Sequence, residues 1–129
     1  TNSRESQGHL LQGDLVFRIV GCAFEVIKEV GPGLHEKPYE NALAIALTEA
    51  GISIQPQAVF PIRFKAHVVG KFMVDLIADN SVVIDAKVID RITDHERGQM
   101  LNYLRITGLR VGLILNFKRS KLEWERIIL

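Results

Sequence analysis

Val74 to Val88, VDLIADNSVVIDAKV, reads as a strand, a tight turn and a second strand, and it constrains the chain more than any other stretch. Each strand carries one carboxylate in otherwise apolar surroundings, Asp75 in the first and Asp85 in the second, and Lys87 follows Asp85 by two residues. Side chains alternate across a strand, so Asp85 and Lys87 share a face. An acid and a lysine inside a Val/Ile-rich run are costly to bury without partners. Two readings stand side by side: a structural ion pair at the end of a sheet, or, with Asp75 added, a divalent-metal site with a lysine beside it. Register separates them in part. A two-residue Asp79-Asn80 loop sends the carboxylates to opposite faces, whereas a three-residue loop, Asp79 to Ser81, sets Asp75 opposite Asp85. The longer loop, with a bulge, is the expectation.

The chain is 129 residues long and 47% hydrophobic, enough for one domain with a real core. Its formal charge is +1, from 16 basic and 15 acidic residues, which argues against a purely electrostatic nucleic-acid binder but leaves room for a local basic face. The single cysteine, Cys22, allows no internal disulfide and suggests a reducing compartment. There is no apolar run of membrane-spanning length and no signal-peptide pattern, so a cytoplasmic protein with no membrane contact is expected.

Residues 1–12 are expected to be a flexible N-terminal segment and 13–129 the folded domain. Asp14 is a plausible N-cap for a helix reaching Val30, with apolar residues at helical spacing from Leu15 on. Gly31-Pro32-Gly33 ends it. A second helix is expected over His35 to Ala50, burying Tyr39, Ala42, Leu43, Ala46 and Leu47. Glu36 and Glu40 lie four apart and stack on one face. Glu36 fits an acidic first turn complementing the helix dipole. Glu40, a turn further in and beside the apolar stripe, suits a carboxylate aimed at a shared site.

Phe60, Ile62 and Phe64 alternate with Pro61, Arg63 and Lys65, which gives a strand with one polar face; proline places it at an edge or at an unpaired position. A turn over Lys65 to Val68 leads to the central hairpin. Thr93 or Asp94 caps a third helix ending near Thr107-Gly108, on which Gln99 and Tyr103 are four apart. These two either present an amide and a phenol together or divide into surface and core. Leu109 to Phe117 reads as a strand buried on both faces, as parallel pairing beside the hairpin would require, and Leu122 to Leu129 as a final edge strand. The order predicts an α/β sheet with helices packed on it.

Gly33-Leu34-His35-Glu36-Lys37-Pro38-Tyr39 matches the GxxExxY motif, and with VDLIADNSVVIDAKV and QMLNYLRITGLRVGLILNF the chain resembles the GxxExxY proteins from about Leu15 to Ile128. That family is similar to the PD-(D/E)XK nuclease-like superfamily, whose single-domain core is αβββαβ; here it would carry an extra N-terminal helix and a C-terminal edge strand. The resemblance implies that Asp75 is the first acidic residue, Asp85-Ala86-Lys87 the (D/E)xK element and Glu40 the acid of the core's first helix. Gln99 and Tyr103 fit the QxxxY pattern of an exonuclease branch. Val74 stands where the superfamily's name has proline, and Asp85 where the family often has glutamate.

What the resemblance implies chemically is a metal-dependent nuclease acting on nucleic acid, DNA ahead of RNA. Asp75, Asp85 and Glu40, with the Ala86 carbonyl, would hold Mg²⁺ or Mn²⁺. Lys87 would orient the attacking water and offset developing charge. Arg63, Lys65, Lys71, Arg91, Arg97 and Arg105 are candidates for backbone contact. A non-catalytic module binding nucleic acid or a protein partner is the other reading, since a nuclease-like fold does not by itself establish cleavage. Near-neutral charge and small size favour help from a homodimer or a partner in either case. Zinc is not expected, because His9, His35, His67 and His95 show no paired ligand spacing.

Overall fold

A computed structural model describes residues 3–129, with side chains from Gly13 on; the expected flexible segment over 1–12 falls on the part whose side chains lie outside that description. The elements run α1 (Ser3–Val30), α2 (Glu36–Glu49), β1 (Ile54–Phe64), β2 (His67–Ala78), β3 (Val82–Lys87), α3 (Asp94–Thr107), β4 (Val111–Asn116) and β5 (Glu123–Ile128). The α/β core is the expected αβββαβ, α2 to β4, with α1 before it and the edge strand β5 after it. Asp14 is not the N-cap of α1: the helix runs on either side of it, and the exposed Asp14 side chain imposes no stop.

The five strands form one sheet in chain order, β1 to β5. All neighbours are antiparallel except β3 and β4, which are parallel and joined by α3 as a crossover. Parallel pairing in the centre explains why β4 reads as an unbroken apolar run: all six of its residues are buried. On one face α1 and α2 cover Leu76, Ile84, Leu113 and Leu115; on the other α3 covers Ile77, Val83 and Ile114 through Met100 and Leu104.

Chain stops and starts follow local chemistry. Thr93 and Glu96 form a reciprocal capping box at the start of α3, and Gly108, at φ 76°, ends it in the left-handed conformation. Tyr39 is fully buried, stacks on Phe117 at 4.6 Å, donates from its hydroxyl to the Gly31 carbonyl and accepts from the Leu34 amide. One side chain thus clamps the Gly31–Leu34 bend between α1 and α2. The β1–β2 turn is tighter than expected, Lys65-Ala66, with Lys65 at φ 55°.

Candidate active site

The hairpin between β2 and β3 has the longer loop. Ala78 pairs with Val82, Ile77 with Val83 and Leu76 with Ile84, which leaves Asp79 to Ser81 as the connection. Asp79 and Asn80 both take positive φ, 50° and 53°, and the Ser81 amide donates to the Ala78 carbonyl. The Asp79 carboxylate accepts from the amide and hydroxyl of Ser53, which ties the turn to the start of β1. Continuing this register puts Asp75 opposite Asp85, the arrangement the loop length predicts.

The ladder stops one pair short of those carboxylates. On its other side Asp75 stands opposite Gln57, which is also outside the ladder and has φ 54°. Val74 and Ile77, three residues apart, both pack on the α3 side, so strict alternation is broken at Asp75. The sheet therefore opens between β2 and β3 where the two acids meet.

Asp85 and Lys87 alternate with Ile84 and Ala86, which belong to the α1/α2 side, and so face α3. Lys87 Nζ lies 3.3 Å from Asp85 Oδ2 and donates to Gln99 Oε1 at 2.8 Å. The ion pair of the plainer reading is present and is the contact Asp85 Oδ2 has: the oxygen is buried, with the Lys87 ammonium at 3.3 Å and outside good hydrogen-bond geometry. Burial pushes the Asp85 carboxyl up to about 6; Lys87 opposes this, while Glu36 and Asp75 add to it. Glu40 is half-buried and also raised, by burial and then by Asp75, against a lowering by Lys37. Tyr103, stacked on Phe72 at 4.4 Å, is pushed up to about 12 by burial and then by Asp85, Asp75 and Glu36.

The site residues expected from sequence thus converge. Asp75, Asp85 and Tyr103 line one small cavity, Lys87 and Gln99 join it through the ion pair, and Glu40 feels the charge of both aspartates. Glu36, read from sequence as a helix-dipole acid, also bears on this cluster, because its charge raises Asp85, Glu40 and Tyr103 alike. The four-residue spacing of Glu36 and Glu40 was the available signal. Arg97 is not a free cation for backbone contact, because it holds Glu125 in a fork at 2.6 and 3.1 Å and pairs with Asp94 at 2.8 Å.

Among the described residues, no group of three or more His, Cys, Asp or Glu side chains stands ready around a metal. The donor set still suits a hard cation. Asp85 offers a buried oxygen met by the Lys87 ammonium, Asp75 an exposed carboxylate across the strand opening, and both are oxygen ligands of the kind Mg²⁺ takes together with water.

The family model of the PD-(D/E)XK nuclease superfamily matches residues 13–127, nearly the whole described chain. This chain belongs to that superfamily. The PD-(D/E)XK assignment agrees with the αβββαβ order and with an acid-x-lysine element on the second strand of the hairpin. The crystal structure of SSO0001 is similar, with TM-score 0.57 and 17% identity over 69% of this chain and 47% of that one. This PD-(D/E)XK chain therefore spans about half the length of that protein, and at such identity the likeness concerns the fold. No curated protein matches. No helix among the described residues is long and apolar enough to cross a membrane.

Proposed function

We propose that this protein is a divalent-metal-dependent nuclease of the GxxExxY branch that hydrolyses phosphodiester bonds, DNA ahead of RNA. The observation that carries the reading is Asp85 Oδ2, buried with the Lys87 ammonium at 3.3 Å as its one contact among the described residues and across the strand opening from Asp75. A buried carboxylate oxygen with so few partners is costly, and a site that retains one is arranged for a cation that arrives with the substrate or before it.

Asp75 and Asp85 would hold the metal, Mg²⁺ or Mn²⁺, with the Ala86 carbonyl and one of Glu40 and Glu36. When bound, the metal supplies Lewis-acid polarisation of a phosphoryl oxygen and a lower pKa for water. Lys87, fixed by Gln99, orients the attacking water and offsets negative charge developing on the phosphoryl group. Tyr103, kept protonated by burial and by the acids around it, donates its hydroxyl proton in a hydrogen bond to the phosphate backbone.

The test is cleavage of single-stranded, duplex and branched DNA and of RNA with Mg²⁺ or Mn²⁺, beside Lys87→Ala. A loss of about 10²-fold or more in the folded variant, with Mn²⁺ binding retained, supports the assignment. Equal activity in both proteins marks contamination. No cleavage of any substrate by the wild type refutes it and leaves a binding module.

A further inference from the structure

β2 is twice the length of β3 and pairs with it only at Leu76 to Ala78. From Val74 outward, β1 and β2 continue as a two-stranded ribbon, Ala58–Phe64 against His67–Val74, beginning where Asp75 sits at the strand opening. Residues 54–74 contain Arg63, Lys65, Lys71 and His67 and no acidic residue, in a chain that is otherwise net acidic. All four side chains are exposed, and Arg63, Lys65 and Lys71 form no ion pair among the described residues, unlike Arg97 and Arg119. Lys65 caps the exposed Phe64 ring at 5.3 Å.

An isolated two-stranded ribbon is marginal in water, so this one needs an anchor. Phe60 and Phe72 pack towards α3, with Phe72 stacked on Tyr103. The ribbon is thus fixed at its root to a residue of the candidate site and free at its charged end.

We propose that this ribbon is a nucleic-acid-binding arm whose Arg63, Lys65 and Lys71 hold the phosphate backbone alongside the Asp75–Asp85–Lys87 site. The substrate class rests on the nuclease reading, but the arm's binding is separable from cleavage. Against a second copy of the chain as occupant stand three features. Pro56 and Pro61 break the donor row of the outer strand. The register shift after Ile62 leaves Val69 unmatched and bends the edge. Two copies would also bring six cations together with no acid between them. Polyanionic backbone meets the same surface with complementary charge.

The experiment measures binding of a fluorescein-labelled DNA duplex and its single strand by anisotropy, across a salt series with Mg²⁺, in a Lys87→Ala background that spares the DNA. The arm variant is Arg63→Gln, Lys65→Asn and Lys71→Gln; asparagine is chosen because position 65 has positive φ. The charge control is Arg18→Gln with Arg110→Gln, at the α2 C-cap end and the β4 start, at the other end of the sheet from Lys87. The expected result is binding about 100-fold weaker at ~0.1 M salt, with the salt slope reduced by about 0.9 per contact removed, and little change in the control. An arm variant with the wild-type affinity and slope overturns the proposal, as does a loss no larger than the control's. A shift in sedimentation of the arm variant with unchanged DNA binding overturns it in favour of a self-association surface. Absence of DNA binding by the parent protein overturns the arm, and the nuclease reading is then judged by wild-type cleavage alone. Arm-dependent binding without cleavage by the wild type under either metal supports the arm and refutes only the nuclease.

Discussion

Asp85 concentrates the electrostatic tension of the site in one carboxyl group. Its folded-state pKa is about 6 against an ordinary 3.8, so it holds its proton more tightly folded than unfolded. Its contribution therefore favours folding below about pH 4 and is lost as pH rises through about 6. Asp85→Asn removes this titration but leaves the Lys87 ammonium with Gln99 alone, so the substitution should be less unfavourable at pH 7 than at pH 4. Urea denaturation at the two pH values checks this; an equal effect at both would remove burial as the cause. A second consequence concerns the metal. Because the ionised carboxylate is the ligand, Mn²⁺ affinity should fall about tenfold per pH unit below about 6 in calorimetry, and Asp85→Asn should abolish binding. At the same scale, Tyr39→Phe removes the hydroxyl that serves both Gly31 and Leu34, and should cost about 1–2 kcal/mol in denaturant midpoint without changing Mn²⁺ affinity.

The elements were legible where local chemistry decides them. Apolar spacing gave α2 and α3, Gly31-Pro32-Gly33 gave the end of α1, and the strongly apolar Val111–Leu115 stretch within Leu109–Phe117 gave a central parallel strand because a strand covered on both faces needs that composition. The hairpin register followed from loop length, since a period of two makes a one-residue slip switch faces. What sequence could not give depends on where elements meet. Lys87 touching Gln99 is set by the way α3 lies on β3, and the reach of the Glu36 charge to Asp85 by where α2 begins relative to the sheet. The start of α1 was misplaced because an exposed Asp14 is compatible with either a cap or a helix interior. For α3 the cap is explicit: Thr93 Oγ1 accepts from the His95 amide while Glu96 Oε1 accepts from the Thr93 amide and hydroxyl. Thr93→Ala should cost about 1 kcal/mol in thermal or chemical unfolding, and a loss of a few tenths or less would show that tertiary packing alone holds this end.

The whole molecule couples its core to its site through the seating of α3 on the sheet. Met100 is fully buried one residue from Gln99 and rests on Gly112 of β4, where an added Cβ would lie 2.3 Å from Met100 Sδ and 2.5 Å from its Cγ. Gly112 has no positive φ that would demand glycine, so close approach is the reason for it. Met100 is fully buried, so the methyl is accommodated either by repacking of that flexible side chain or by a rise of the helix. Gly112→Ala is therefore expected to destabilise the fold by about 1–3 kcal/mol. A rise of α3 would also lengthen the Lys87–Gln99 hydrogen bond, and any cleavage activity should then fall more than stability alone explains. Adding Met100→Ala frees the volume that the new methyl needs. The double variant should then be less destabilised than the two single effects summed, with a coupling of about 1 kcal/mol or more in a double-mutant cycle. Strict additivity would mean that the sheet, rather than α3, absorbs the methyl group, and the site would then be insulated from the core on this face.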